Sequence, residues 1–148
     1  MPQAVMDHDY IPSAIVGMVD PVSQAALLLR RFDDDREFPG QWCFPGGRAH
    51  PEESANETAA REALEETGLT VQSLEYVGRR ESAGASGRTY LIDCFVTQSW
   101  TGSLRTFPST EHAATAWVPL DRLADLGPTG STTRWLAQKI RSRFEEPN

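Results

Sequence analysis

The chain has 148 residues, 39% hydrophobic and 24% charged, which predicts a single globular domain over 1–148 and leaves room for only a very small second one. A net charge of −7 disfavours binding to a nucleic acid polymer, which needs clustered Lys and Arg to replace phosphate counterions. No stretch approaches the roughly 18 apolar residues of a membrane span, no basic start leads into a long apolar run, and two cysteines are too few for a disulfide framework, so the expectation is a cytoplasmic protein.

In chain order, SAIVGMV (13–19) and AALLLRR (25–31) are short apolar runs separated by the turn-forming DPVSQ, and predict a β-hairpin. RFDDDREFPGQ (31–41) reads as a polar loop, and WCFPGG (42–47) as one short strand stopped by proline and two glycines. Ser54 to Thr67 predicts a helix: Ser54 with Glu57 fits a capping box, Ala and Glu fill the interior, and Gly68 stands where a left-handed C-cap is expected. VQSLEYVGRRE (71–81) and RTYLIDCFVTQ (88–98) predict two longer strands joined by SAGASG, and ATAWVPL (114–120) a last strand. DRLADL (121–126) reads as a short helix, and Trp135, Leu136, Ile140 and Phe144 form the apolar stripe of a closing one. Cys43 and Cys94 read as small core hydrophobes, and the scattered His8, His50 and His112 as surface or loop residues.

The predicted helix concentrates charge of one sign. Between Glu52 and Glu66 stand six carboxylates and one cation, Arg61. At roughly 100° per residue, Glu62, Glu65 and Glu66 share one face, and Ala60, Ala63, Leu64 and Thr67 make a mostly apolar face opposite. Like charges at i,i+3 and i,i+4 cost about 0.2–0.5 kcal/mol each, so the face is either a solvated acidic surface or a site whose repulsion a divalent ion removes. Mg²⁺ and Mn²⁺ take carboxylate and carbonyl oxygens, and a bound ion would let an acidic site receive a polyphosphate. Arg61, four residues from both Glu57 and Glu65, can pair along the helix and fix a carboxylate rotamer.

From Gly47 the chain gives five residues, Glu53, seven residues, Arg61-Glu62, Ala63, one residue, Glu65-Glu66, one residue, Gly68 and Leu69. This resembles the Nudix box of the Nudix hydrolases at every fixed position. ALLLRRFDDDREFPGQWCFPGG and EHAATAWVPLDRL resemble flanking segments of the same family. The resemblance implies the Nudix fold, an α/β/α sandwich around a mixed β-sheet, and Mg²⁺- or Mn²⁺-dependent hydrolysis of a nucleoside diphosphate linked to another group. Carried over by position, Glu62, Glu65 and Glu66 are the expected metal ligands, with the Gly46 carbonyl as a further one. Glu53 is a metal-site carboxylate or assists the catalytic water, and Arg61 orients the glutamates. The general base is either a box glutamate or one in a later loop, for which Glu111 is the candidate.

Substrate choice is written outside the box. Arg31, Trp42, Phe44 and Arg48 are the expected substrate contacts, with Tyr90 a further aromatic and Arg30, Arg79, Arg80 and Arg88 further cations. The preferred expectation is a housecleaning nucleoside triphosphate pyrophosphohydrolase, a monomer or homodimer acting on a small nucleotide. A coenzyme A diphosphatase is the runner-up, although Leu29 and Phe32 stand where that subgroup has Thr and Ser, and an ADP-ribose or dinucleotide diphosphatase is a further alternative. Alternatives of another class are a non-catalytic nucleotide sensor and a Ca²⁺-binding helix. The consecutive Asp33-Asp34-Asp35 do not have the alternation of a Ca²⁺ loop.

Overall fold

The computed structural model describes residues 10–144. His8 therefore lies outside the described residues. In order the chain forms β1 (Tyr10–Asp20), β2 (Ala25–Arg31), β3 (Trp42–Cys43), β4 (Gly46–Arg48), α1 (Ala55–Thr67), β5 (Leu69–Val71), β6 (Glu75–Ala83), β7 (Thr89–Thr97), β8 (Trp100–Gly102), β9 (His112–Pro119), a 3-10 helix (Leu120–Asp125) and α2 (Ser131–Phe144). Seven strands make a mixed sheet with the path β3-β2-β1-β7-β6, β4 pairing with β1 and β9 with β2. β1 and β7 are parallel over nine residue pairs, and the remaining neighbours run antiparallel.

Alternation along the strands divides the core in two. Ala14, Val16 and Met18 of β1, Leu27 of β2 and Phe95 of β7 pack with Ala59 and Ala63 of α1. Residues of opposite parity, among them Leu28, Ile92, Cys94 and Val96, pack with Leu136, Ala137 and Ile140 of α2 and with the 3-10 helix. The layers are thus α/β/α, as the resemblance implies. Gly17 lets α2 approach, since a Cβ there would lie 2.5 Å from Ile140 Cδ1.

The hairpin, α1, the 3-10 helix and α2 form where the sequence predicts them. Ser54 Oγ accepts from the Glu57 amide (3.1 Å), Glu57 accepts from the Ser54 amide (2.8 Å), and Gly68 closes the helix at φ 83°. WCFPGG differs: it makes two strands about Phe44-Pro45, and its glycines lie inside β4 rather than ending a strand. The reason is pairing. The Pro45 carbonyl accepts from the Val16 amide, and β4 continues antiparallel to β1 with Ala14 opposite Gly47. The segment 71–81 also divides, its start pairing as β5 with β8 in a two-stranded sheet.

Two expectations about exposure are corrected. Leu64 is exposed, and the buried side of α1 is formed by Thr58, Ala59, Ala63, Glu66 and Thr67. The helix is rotated from its compositional apolar face because close packing on β1 and β4 selects the small Ala59 and Ala63. His112 is no surface residue: it opens β9 opposite Arg31 and is only 1% exposed.

Candidate active site

Rotation of α1 spreads its three clustered glutamates over three depths. Glu65 is half exposed, Glu62 is mostly covered and Glu66 is buried. Glu66 Oε1 accepts the Gly46 amide at 3.0 Å. In a β-strand a residue's N–H and C=O leave on the same edge, so the Gly46 carbonyl also leaves β4 away from β1. Glu62 lies against the next residue, its Oε2 filling the space a Cβ on Gly47 would need, 1.7 Å from that position.

Arg61 binds this region together. Its Nε donates to Glu53 Oε2 (2.7 Å), Nη2 to Glu53 Oε1 (3.0 Å) and to the Arg48 carbonyl (2.8 Å), and Nη1 to Glu62 (2.6 Å) and Glu65 (3.2 Å). The partner along the helix is Glu65 and not Glu57, which the capping box occupies. Glu53 also accepts from the His50 amide (2.9 Å) and from Thr58 Oγ1 (2.8 Å). Hydrogen bonds from Arg61 and the His50 amide hold its carboxyl down at about 2. Glu53 is therefore a fixed anion around which Arg61 is set.

Glu62 and Glu66 behave oppositely. Burial raises the Glu62 carboxyl, with Arg61 opposing and Glu65 adding to the rise. Burial raises Glu66 well above the usual range, the Gly46 amide opposes, and the charges of Glu62 and Glu111 raise it further. Glu111, on the bend before β9, and His112 bring ligand atoms within 4.8 Å of each other and of Glu66. Residues from α1 and from a segment 45 positions on thus form one candidate metal-binding cluster.

The donor set fits a divalent ion. The charges of Glu62 and of the exposed Glu111 act on the buried Glu66 carboxyl, while both ring nitrogens of His112 are buried without a hydrogen-bond partner. Burial and the Arg31 charge hold that imidazole down at about 4, so it is neutral at pH 7 with a lone pair available.

A cavity of about 440 Å³ opens on the other side of β4. Arg31, Cys43, Phe44, Gly46, Gly47 and Arg48 line it, together with Asp35 to Phe38 of the loop after β2, Gln41, Ser82, Tyr90, Ile92, and Thr132 and Thr133 of α2. Of the expected substrate contacts, Arg31, Phe44 and Arg48 reach it and Trp42 does not. Trp42 packs on the α2-side core, and its backbone is tied to Pro128 and Thr129. Arg79 and Arg80 are committed elsewhere, to Asp93 (2.9 Å) and to the face of Trp135 (5.1 Å).

Several lining residues carry no sequence signal. Asp35 accepts from the amides of Glu37 and Phe38, both at 2.9 Å, and pairs with Arg31 at 3.1 Å, so it shapes the loop. Glu37 accepts from the Tyr90 hydroxyl and from the Ser86 amide (3.0 Å), joining that loop to the one between β6 and β7. The one available clue was the Asx-turn preference of Asp35. Burial pushes the thiols of Cys43 and Cys94 up, to about 11 and about 12, so neither is a nucleophile at neutral pH.

A sandwich of this topology, with a capped helix presenting three glutamates beside a Gly-Gly strand, defines a family. The model of the NUDIX domain matches residues 10–137, and the chain belongs to the NUDIX family. It is 30% identical over 141 residues to nucleoside diphosphate-linked moiety X motif 6 of Mus musculus, covering 89% of this chain and 44% of that protein. It is 36% identical over 101 residues to the "Putative 8-oxo-dGTP diphosphatase" of Bacillus subtilis, covering 68% of this chain and 62% of the relative. The chain thus spans less than two thirds of the length of either curated relative. Among solved structures, the MutT protein from Methanosarcina mazei superposes with a TM-score of 0.80 at 25% identity, covering 96% of this chain and 100% of that one. No helix among the described residues is long and apolar enough to cross a membrane.

Proposed function

We propose that the chain is a divalent-metal-dependent pyrophosphohydrolase of nucleoside triphosphates, releasing a nucleoside monophosphate and pyrophosphate. The observation that carries this reading is the position of β4. Its free edge meets the Glu62 and Glu66 carboxylates, and its residues also line a cavity of about 440 Å³ with three arginines, Arg31, Arg36 and Arg48, and three aromatic rings, Phe38, Phe44 and Tyr90. That volume suits a nucleoside, since pockets for small molecules run to about 300–1,000 Å³. The missing side chains at positions 46 and 47 let β1 and the Glu62 carboxylate approach β4 closely, which sets that carboxylate beside the strand.

Glu62, Glu65 and Glu66, with the Gly46 carbonyl, would hold Mg²⁺ or Mn²⁺. When bound, such an ion neutralises phosphate oxygens and polarises the attacked phosphorus. The chain's own contributions are positional. Arg61, fixed by Glu53, sets the rotamers of Glu62 and Glu65. Arg48 and Arg31 supply charge at the cavity, and Phe38 and Tyr90, with centroids 5.8 Å apart, offer ring surface to a base. Glu53 Oε1 accepts three hydrogen bonds and Oε2 one, which leaves a lone pair on Oε2, so the base is Glu53, another box glutamate or the exposed Glu111.

A panel of canonical and oxidised nucleoside triphosphates, coenzyme A, ADP-ribose, NADH and dinucleoside polyphosphates, with every phosphorus product identified, tests the reading. Pyrophosphate and a monophosphate from a triphosphate are the expected products. Cleavage confined to coenzyme A or to ADP-ribose would replace the substrate assignment. Inactivity towards all of them with both Mg²⁺ and Mn²⁺ would favour a nucleotide sensor.

A further inference from the structure

The feature that the Glu62, Glu65 and Glu66 set does not absorb is the imidazole of His112. Buried polar atoms are nearly always paired, and a histidine that merely filled the core would bond at least one ring nitrogen to a carbonyl or hydroxyl. His112 bonds neither, although its backbone is well used: its amide donates to Ser109 Oγ (3.1 Å) and its carbonyl accepts the Ser109 amide (2.8 Å). The unpaired ring sits within 4.8 Å of ligand oxygens of Glu66 and Glu111. Two donors on opposite sides of an ion at ~2.1 Å are ~4.2 Å apart, so an ion fits among the three after shifts of a few tenths of an ångström. Leaving both buried nitrogens unsatisfied costs on the order of 1–3 kcal/mol each, which a bound cation would offset at one of them. Arg31, the strand partner of His112, opposes a cation here, and the two carboxylates oppose Arg31.

From this geometry we propose that His112 is a nitrogen ligand, completing with Glu66 and Glu111 a mixed imidazole-carboxylate site for a first-row transition ion. The inference rests on the metal-dependent reading above and deepens it. A hard all-oxygen site accepts Mg²⁺ readily, whereas an imidazole shifts the preference towards Mn²⁺, Co²⁺ or Zn²⁺. The chain would then distinguish these ions from Mg²⁺ at this position.

The test uses tag-free full chain carrying His8→Gln and His50→Gln, which leaves His112 as the one histidine of the three. One equivalent of Mn²⁺ is added without nucleotide and read by electron spin echo envelope modulation. The expected result is modulation from a directly bound nitrogen-14, replaced by the nitrogen-15 pattern when histidine is labelled. A Mn²⁺ signal without ligand-nitrogen modulation overturns the assignment, and so does absence of Mn²⁺ binding. Adding His112→Gln is expected to weaken Mn²⁺ binding by about 10- to 100-fold and Mg²⁺ binding by less than about threefold, with circular dichroism confirming the fold. If that variant unfolds, Glu111→Gln on the exposed bend carries the comparison, and unchanged Mn²⁺ affinity there overturns the site. None of these readings needs turnover. Nitrogen-ligated Mn²⁺ in a chain that cleaves no nucleotide would uphold the ligand and remove only the proposed function.

Discussion

The carboxylate of Glu62 occupies the space a side chain on Gly47 would take, 1.7 Å from the ideal Cβ position. Gly47→Ala therefore displaces the end of a flexible glutamate and not the backbone. Activity is expected to fall by about 100-fold, the scale on which a misplaced reactive group is felt, with thermal stability nearly unchanged. Gly46→Ala is the contrasting case, because its Cβ would lie 2.2 Å from the Ala14 carbonyl and 2.7 Å from Ile15 Cα. That variant is expected to lose about 3 kcal/mol of stability. Paired denaturant melts and rate measurements separate the two, and a strongly destabilised Gly47→Ala would contradict the geometry.

Glu62→Gln removes one of the crowded carboxylates. It is expected to lower kcat by at least about 100-fold and, without metal, to raise Tm slightly by relieving repulsion with Glu66. In the wild type, Mn²⁺ at 100 times its Kd should add about 2.7 kcal/mol of stability, and chelation should remove it. Calorimetry with and without chelator checks this. A metal-dependent shift of the same size in wild type and Glu62→Gln would show that the ion binds elsewhere.

Arg48 separates binding from chemistry. Its carbonyl belongs to the Arg61 network, but its exposed guanidinium lies over Tyr90 at 5.9 Å on the cavity wall. Arg48→Ala keeps the carbonyl and loses the charge. The expected outcome is a KM about tenfold higher with kcat within about threefold of wild type, since a contact made equally in ground and transition states affects binding alone. A kcat loss as large as that of Glu62→Gln would place the guanidinium at the reacting phosphate instead.

Asp35 gives a pH dependence with a definite sign. Burial works against its carboxylate, but the amides of Phe38 and Glu37 and the Arg31 charge prevail and hold it below the usual value. A carboxyl lowered on folding adds stability that is complete above its unfolded value and is lost as pH falls through the native one. Asp35→Asn is thus expected to cost about 1 kcal/mol near pH 7, with the difference from wild type shrinking below about pH 4. Urea titrations across pH test this, and a difference that grows on acidification would be the wrong sign.

How far the sequence could be read depended on where the information lay. α1 was legible to its caps because Ser54, Glu57 and Gly68 act within their own turn. The i,i+4 pair of Arg61 with Glu65 could be read from spacing, but its bond to Glu53 could not, because Glu53 reaches it only through the loop that precedes the helix. Composition put Leu64 on the apolar face and His112 on the surface. Packing overruled both: proximity to β1 and β4 rewards small Ala59 and Ala63 over Leu64, and pairing of β9 with β2 draws His112 inside. Trp42 and Tyr90 looked equivalent as aromatics, and both pack on the α2-side core, but the sheet, invisible in the sequence, brings Tyr90 alone to the cavity wall as well.

The two-way pairing of β1 bears on how the molecule is made. β1 holds β4 through residues 13–15, meets β2 only at 19–20, and is matched by β7, 79 residues later, from Tyr10 opposite Thr89 to Met18 opposite Thr97. The glutamates lie within a short stretch, yet the strand bearing Gly46 and Gly47 is anchored on β1, which stays an open edge until residue 97 has been synthesised. A ribosome-bound chain ending after α1 would carry the complete glutamate signature on an unfinished sheet. Catalytic competence should therefore emerge late in translation and all at once, together with burial of the β1 edge.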